Sequence, residues 1–362
     1  MDSFTYEGLP SRVVFGWDAL ASLPAEIDRL GVRRVLVLAT PPQRAEADRI
    51  AGLIGDRAAG LFAGAVMHTP VEVTEQALAV VRECGADATL AVGGGSTTGL
   101  GKAVAVRTDL PQIVVPTTYA GSEMTPILGE TENGVKTTRR DPRILPELVV
   151  YDPALTLSLP PALSATSGMN AIAHAVEALY ARDRNPIVSL MSEEGIRALA
   201  SALPAIVRDP ADWKARERAL YGAWLCGVAL GTVGMALHHK LCHVLGGSFD
   251  LPHAETHTVV LPHAVAYNAA AAPAAMAAVE RALGGRQGHR SAAEGLRRLA
   301  EAVGAPVALK DIGMPADGID RAADLATANP YWNPRPIEHA AIRALIEDAW
   351  EGRSPGATVP RA

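Results

Sequence analysis

Between His238 and His263 the chain reads HHKLCHVLGGSFDLPHAETHTVVLPH and holds six of its ten histidines. His239 and His243 stand four apart in an apolar run. That spacing predicts a buried helix with both imidazoles on one face, one turn apart. Gly246 and Gly247 suit a cap at its C-terminus. His253, His257 and His263 are expected in a short loop and the apolar segment after it. Asn170 and His174 repeat the four-residue step in SGMNAIAHAVEAL, a second helix. Imidazoles in apolar surroundings can bind a divalent metal, move protons or, when protonated, hold an anion. One such residue would be read as an ordinary core histidine. Six in so short a stretch point to a site.

A second chemistry sits upstream. In GGGSTTGLGKAVAV, Gly93, Gly94 and Gly95 close an apolar strand, and Ser96 and Thr97 open a helix. Close backbone approach and N–H donors at a helix start suit a pyrophosphate. It is not the G-x-G-x-x-G fingerprint, and by itself it reads equally well as a tight turn. A second loop, PTTYAGSEMT, brings the hydroxyls of Thr117, Thr118 and Ser122 to the end of another strand. Two such loops in one sheet predict a nucleotide site. Lys136, on a charged hairpin tip turning at Asn133–Gly134, is placed near the same cofactor. The second strand ends in Thr40, not in an acidic residue, so nothing there excludes a 2′-phosphate and either NADH or NADPH is admitted.

These groups need a frame. The segments RVVF, RRVLVLAT, 61–66, 88–95 and 112–118 read as strands, alternating with helical patterns at 20–30, 43–54, 72–84 and 98–106. That alternation predicts a parallel sheet with helical crossovers. Residues 129–150 read as a hairpin. Beyond Pro160 long Ala-rich helical patterns fill 162–181, 186–208, 214–247, 263–284, 290–303 and 337–350. The expectation is a two-domain chain: an N-terminal α/β dinucleotide-binding domain, 1–157, and an all-helical domain, 158–362, that carries the substrate chemistry.

Composition narrows the class. Of 362 residues, 49% are apolar and 20% charged, a soluble globular balance. The net charge of −6 argues against a nucleic-acid partner, and an anionic ligand would need a local cationic pocket. No apolar run reaches about 18 residues without polar interruption, so no membrane span is expected. Cys84, Cys226 and Cys242 are scattered in apolar contexts, which predicts reduced thiols and a cytoplasmic setting. The N-terminus has no signal-peptide pattern.

FGWDAL, GGGSTTGLGK, PTTYAGSE, GMNAIAHAVEAL, HHKLCHVLGG and LPHAVAYN, in that order, resemble the iron-containing alcohol dehydrogenase family over nearly the whole chain. The resemblance implies cofactor and substrate meeting between two domains, and homodimers. It also implies a metal bound by an Asp, a His four residues later, and two further His. The matching positions here are Asn170, His174, His239 and His253, so the Asp has become a neutral amide, a poorer ligand for a divalent cation. The family's phosphate-loop Asp is replaced by Gly99.

KTT before the domain boundary, Asn170, PHAETH and NPRP resemble the maleylacetate reductase branch, which implies reduction of a C=C bond in a dicarboxylate without a metal. Charge would build on the ketone oxygen as an enolate, to be met by hydrogen-bond donors or cations. His243 and His253 would be the catalytic pair, with His239 and His174 positioning them. Lys240 and His257 would add positive charge for the carboxylates. Asn170 would line the pocket, with Asn333 and Arg335 contributing. No Asp or Glu on the Asn170 helix plainly replaces the missing ligand, since Glu177 lies two turns on. A metal-dependent alcohol dehydrogenase, a lyase resembling dehydroquinate synthase and a non-catalytic nucleotide binder are the alternatives. Metal content, carboxylate ligands and turnover separate them.

Overall fold

The computed structural model describes residues 3–285, 290–329 and 331–357; of Val135 and Lys136 only the backbone is described. The chain forms two compact units, one of Gly8–Leu159 and the other of the N-terminal residues up to Glu7 together with those from Pro160 onward.

In chain order the first unit contains β1 (Arg12–Phe15), α1 (Leu23–Leu30), β2 (Val35–Leu38), α2 (Arg44–Ile54), β3 (Ala58–Phe62) and α3 (Val71–Cys84). Then come β4 (Ala88–Gly93), α4 (Gly95–Thr108), β5 (Gln112–Pro116), β6 (Ile127–Glu132), β7 (Val135–Arg140) and β8 (Leu148–Tyr151). Six strands make one sheet in the order β1-β8-β5-β4-β2-β3, with every pairing parallel. β2, β4, β5 and β8 are buried at every residue. That is why they read as unbroken apolar runs: both faces of a parallel sheet lie under helices. The chain leaves β2 toward β3 on one side and leaves β4 toward β5 on the other. The ends of β2 and β4 therefore flank a switch point, where open α/β sheets take ligands.

The hairpin turns at Asn133–Gly134 as expected, but it comprises β6 and β7 alone. LVVY of the expected hairpin is β8, inserted between β1 and β5. Its four buried apolar residues belong in the core, not on a charged ribbon. The strand expected at 61–66 begins at Ala58 and ends at Phe62.

The second unit is helical: α5 (Pro161–Leu179), α6 (Pro186–Arg208), α7 (Trp213–Thr232), α8 (Leu237–Phe249), α9 (His253–Asn268), α10 (Pro273–Ala282), α11 (Ala292–Ala302), α12 (Gly318–Thr327) and α13 (His339–Glu351). The helix expected over 214–247 is two helices, α7 and α8, bent by 95° at their junction. No single helix among the described residues is long and apolar enough to cross a membrane. Gly246 and Gly247 lie inside α8, and Asp250, in the left-handed region at φ 51°, ends it. His253, His257 and His263 are not in a loop. All three lie on α9, which starts after Pro252 and runs through Pro262. Pro273 separates α9 from α10 where one helix was expected, because a proline opens a helix more readily than it continues one.

His263 is 1% exposed, and neither ring nitrogen has a hydrogen-bond partner. Burial holds its imidazole at about 4, against an ordinary 6.5; the charge of Asp348 opposes the shift and that of Arg297 adds to it. Between those values the unfolded chain binds a proton that the folded chain refuses, so stability falls as pH drops below 6.5. One such group contributes about 1.4 kcal/mol per pH unit. His263→Leu should therefore shrink the stability loss between pH 7 and pH 5 by about 2 kcal/mol, read from urea midpoints at the two pH values. An unchanged loss would show that His263 is protonated in the folded chain.

Candidate active site

In the first unit β4 delivers the glycine loop. Gly93 adopts φ +150°, and a Cβ there would lie 2.5 Å from both Gln43 Oε1 and Thr97 Oγ1. A Cβ on Gly94 would meet Thr118 at 2.9 Å. Gly95 differs: a Cβ on it would meet nothing closer than Ser122 Oγ at 3.9 Å. The space in front of Gly95 and the opening N–H groups of α4 are thus free for a ligand. Ser122 Oγ at its edge is buried and lacks a hydrogen-bond partner. Ser96 sits in the first turn of α4, half-buried. This is a cradle a pyrophosphate fits.

Two residues that sequence reasoning passed over build the cradle. Gln43 accepts from Thr40 Oγ1 at 3.0 Å and donates to Thr117 Oγ1 at 2.7 Å, joining the ends of β2 and β5 across Gly93. Lys102 is 1% exposed and donates to Ser122 O, Thr125 O, Thr125 Oγ1 and Ile127 O at 2.6–2.9 Å. Burial pushes its ammonium down to about 7, and Glu123 pulls the other way. Its four acceptors fix the loop that carries Ser122. Gly99 also has a local reason, because a Cβ there would lie 2.4 Å from Thr69 Oγ1. Lys136 is in β7 opposite Thr131; its side chain lies outside the described residues.

In the second unit α5, α8 and α9 bring five imidazoles together, with a sixth at the edge. Ring centroids are 5.2 Å apart for His174–His239, 5.0 Å for His239–His257, 4.3 Å for His253–His257, 4.8 Å for His238–His257 and 6.3 Å for His239–His243. His174, His238, His239 and His257 are buried, whereas His243 and His253 are exposed. The cluster therefore has an inner group and an outer pair. His263 stands apart, nearer the charges of Asp348 and Arg297.

Glu177, absent from the expected site, holds the inner group. Its buried carboxylate accepts His239 Nδ1–H at 2.7 Å and the backbone N–H groups of Ala236, His238 and His239 at 3.0, 2.8 and 3.3 Å. Burial pushes this carboxyl up, but the His239 hydrogen bond, the His239 and His238 charges and the Ala236 N–H outweigh it and hold it at about 2. An ionised carboxylate only accepts, so His239 carries its proton on Nδ1 and presents Nε2. That Nε2 is buried and unpartnered, as are Asn170 Oδ1, His174 Nδ1 and His257 Nε2. The signal for Glu177 was its place three residues after His174, on the same face of α5.

His257 was expected to supply positive charge, and the structure corrects this. It is fully buried, and burial together with the charges of His253, His238, His239 and His174 holds its imidazole well below 6.5. His174 is held neutral in the same way. His257 contributes a hydrogen bond; Nδ1 lies 3.0 Å from His238 Nε2. The cation is Lys240, half-buried on α8, with Nζ 5.8 Å from the Tyr331 ring centre.

Asn333 is spent on structure. It exchanges amide hydrogen bonds with Asn268 at 2.7 and 3.1 Å, donates to Arg335 O at 2.7 Å and accepts from Leu237 N at 3.4 Å. The NPRP segment thereby ties α9 to the start of α8. Arg335 lies over the Tyr267 ring at 4.2 Å.

Comparison with known proteins agrees with both units. Residues 10–153 match the family model described as iron-containing alcohol dehydrogenase, and residues 164–350 match the C-terminal model of the same family. The chain belongs to the iron-containing alcohol dehydrogenase family, a family of oxidoreductases. Within it, the chain is 58% identical to maleylacetate reductase from Rhizobium sp. strain MTP-10005 and 57% identical to that from Burkholderia cepacia. Each alignment covers 98% of this chain and 100% of the relative. The crystal structure of maleylacetate reductase from Agrobacterium tumefaciens superposes with a TM-score of 0.94 at 58% identity, covering 98% and 100% of the two chains.

The family name implies iron. By motif Asn170, His174, His239 and His253 match the family's ligand positions, and they are a poorer donor set for such an ion than one with a carboxylate. They offer no anionic donor, since the nearby carboxylate of Glu177 is turned onto His239 Nδ1 and the start of α8. Among the described residues, the His, Cys, Asp or Glu trio with ligand atoms within 4.8 Å of one another is His238, Cys242 and His257, a different set.

The cradle in the first unit leads to a direct test. Gly95→Val should leave the melting temperature nearly unchanged and abolish NADH binding in a fluorescence titration, because only a ligand needs that space. Wild-type affinity in the variant would reduce the glycine loop to a turn.

Proposed function

We propose that this chain reduces the C=C bond of maleylacetate to 3-oxoadipate with NADH or NADPH and without a metal, as a step in the breakdown of aromatic compounds. The observation that carries the reading is the second unit's donor set. The neutral amide of Asn170 and the imidazoles of His174 and His257, kept neutral by burial, share the unit with Lys240 on α8, while the Glu177 carboxylate is turned onto His239. Such a pocket suits a dianion better than a dication.

A bound reduced nicotinamide supplies the hydride, which is added to the alkene carbon β to the ketone. His243 and His253, the exposed pair, deliver a proton to the α carbon and hold the enolate oxygen. His239 and His174 keep them in register. Lys240 takes a substrate carboxylate, with His257 and Asn170 as neutral donors beside it. Thr40 places no carboxylate at the adenine ribose, which admits either cofactor. The same reading carries a homodimer acting on a small dicarboxylate in the cytoplasm, in keeping with three free cysteines.

One observation favours the metal-dependent alternative. A carboxylate that fixes a histidine tautomer, as Glu177 does for His239, is also how metal-ligating histidines are held. NADH oxidation by maleylacetate with and without a strong chelator separates the two. We expect full activity in chelator and a ~10²–10⁴-fold loss of turnover in His243→Ala and in His253→Ala, with NADH binding retained. A stoichiometric iron or zinc whose removal stops turnover would overturn the reading. Lys240→Met should raise KM for maleylacetate about tenfold or more with little change in NADH affinity. A variant with unaltered KM would remove Lys240 from the substrate site.

A further inference from the structure

One cluster includes a buried thiol that this chemistry does not use. His238 and Cys242 are four apart on α8, and His257 faces them from α9. His238 Nε2 lies 3.0 Å from His257 Nδ1 and 3.7 Å from Cys242 Sγ, and all three side chains are buried. Tetrahedral zinc has Zn–N bonds of about 2.0–2.1 Å and Zn–S bonds of about 2.3 Å, which puts N and S ligand atoms roughly 3.5 Å apart and two N atoms roughly 3.3 Å apart. The trio stands close to that geometry before any ion arrives. Two imidazoles and a thiol are a borderline-soft donor set, unlike the amide and imidazoles at the family's ligand positions. The i, i+4 pair sits on one helix and needs no rearrangement of the backbone to converge.

We propose that His238, Cys242 and His257 form a binding site for a borderline-soft divalent cation, zinc or cobalt, distinct from the family's ligand positions. Binding replaces the His238–His257 hydrogen bond with two metal–nitrogen bonds and the thiol S–H with a metal–sulfur bond. The imidazole that donates that hydrogen bond shifts its proton to its other ring nitrogen, His238 Nδ1 or His257 Nε2, both unpartnered. The thiol proton leaves to solvent, and no electron transfer is involved.

The test needs no substrate and stands apart from the reductase reading. The purified full-length chain, stripped with chelator and reduced, is titrated with cobalt(II) and followed by absorption. The expected result is one cobalt per chain with a thiolate-to-cobalt charge-transfer band in the near ultraviolet. Cys242→Ala and Cys242→Ser should lose the band and bind at least tenfold more weakly, with unchanged far-ultraviolet circular dichroism. If cobalt binds without the charge-transfer band, or equally well in both variants, the ion lies on His174, His239 and His253 and the proposal fails. It also fails if no cobalt is retained.

Discussion

The second unit depends on one buried carboxylate. Glu177, on α5, receives three backbone N–H groups at the start of α8 and the Nδ1–H of His239. A helix N-terminus carries partial positive charge and orphan donors, so an anion there is doubly favoured. Burial alone would neutralise the group, and the donors reverse that outcome. Removing the carboxylate would leave those donors buried and unpaired, at a cost of about 1–3 kcal/mol for a donor left unsatisfied. It would also release the direction of α8, and with it His238, His239, Lys240, Cys242 and His243.

The first unit uses a buried amine for the same purpose. The acceptors of Lys102 lie on the segment from Ser122 to Ile127, as the donors to Glu177 lie on the start of α8. In each case an irregular stretch, which cannot satisfy its own backbone groups, is held by one buried side chain from a neighbouring helix. The glycine loop and the imidazole cluster are therefore set by side chains that sit behind them.

This arrangement also separates two jobs that histidine can do. The inner imidazoles are buried, burial holds those of His174, His238 and His257 below their ordinary value, and the group is oriented through Glu177 and the His238–His257 bond. The outer pair, His243 and His253, is open to solvent, where protons can be exchanged. Asn170 stands where the resemblance puts the family's acidic ligand, and the Glu177 carboxylate faces His239 and the start of α8.

By itself the sequence determined the alternation of strand and helix, the break near residue 160, the glycine loop and the concentration of histidines. Each of these is a local property: apolar period, turn residues, and spacing along one helix. Its reading failed where a local pattern had two outcomes. LVVY suited a hairpin arm or a core strand, and only burial on both faces decided for β8. HAETH suited a loop or a helix, and only packing on α5 and α8 made it α9. Glu177 lies two turns from Asn170 along its own helix, too far to replace the missing ligand. The approach of α8 to α5, which no spacing within one helix encodes, is what put its carboxylate on His239.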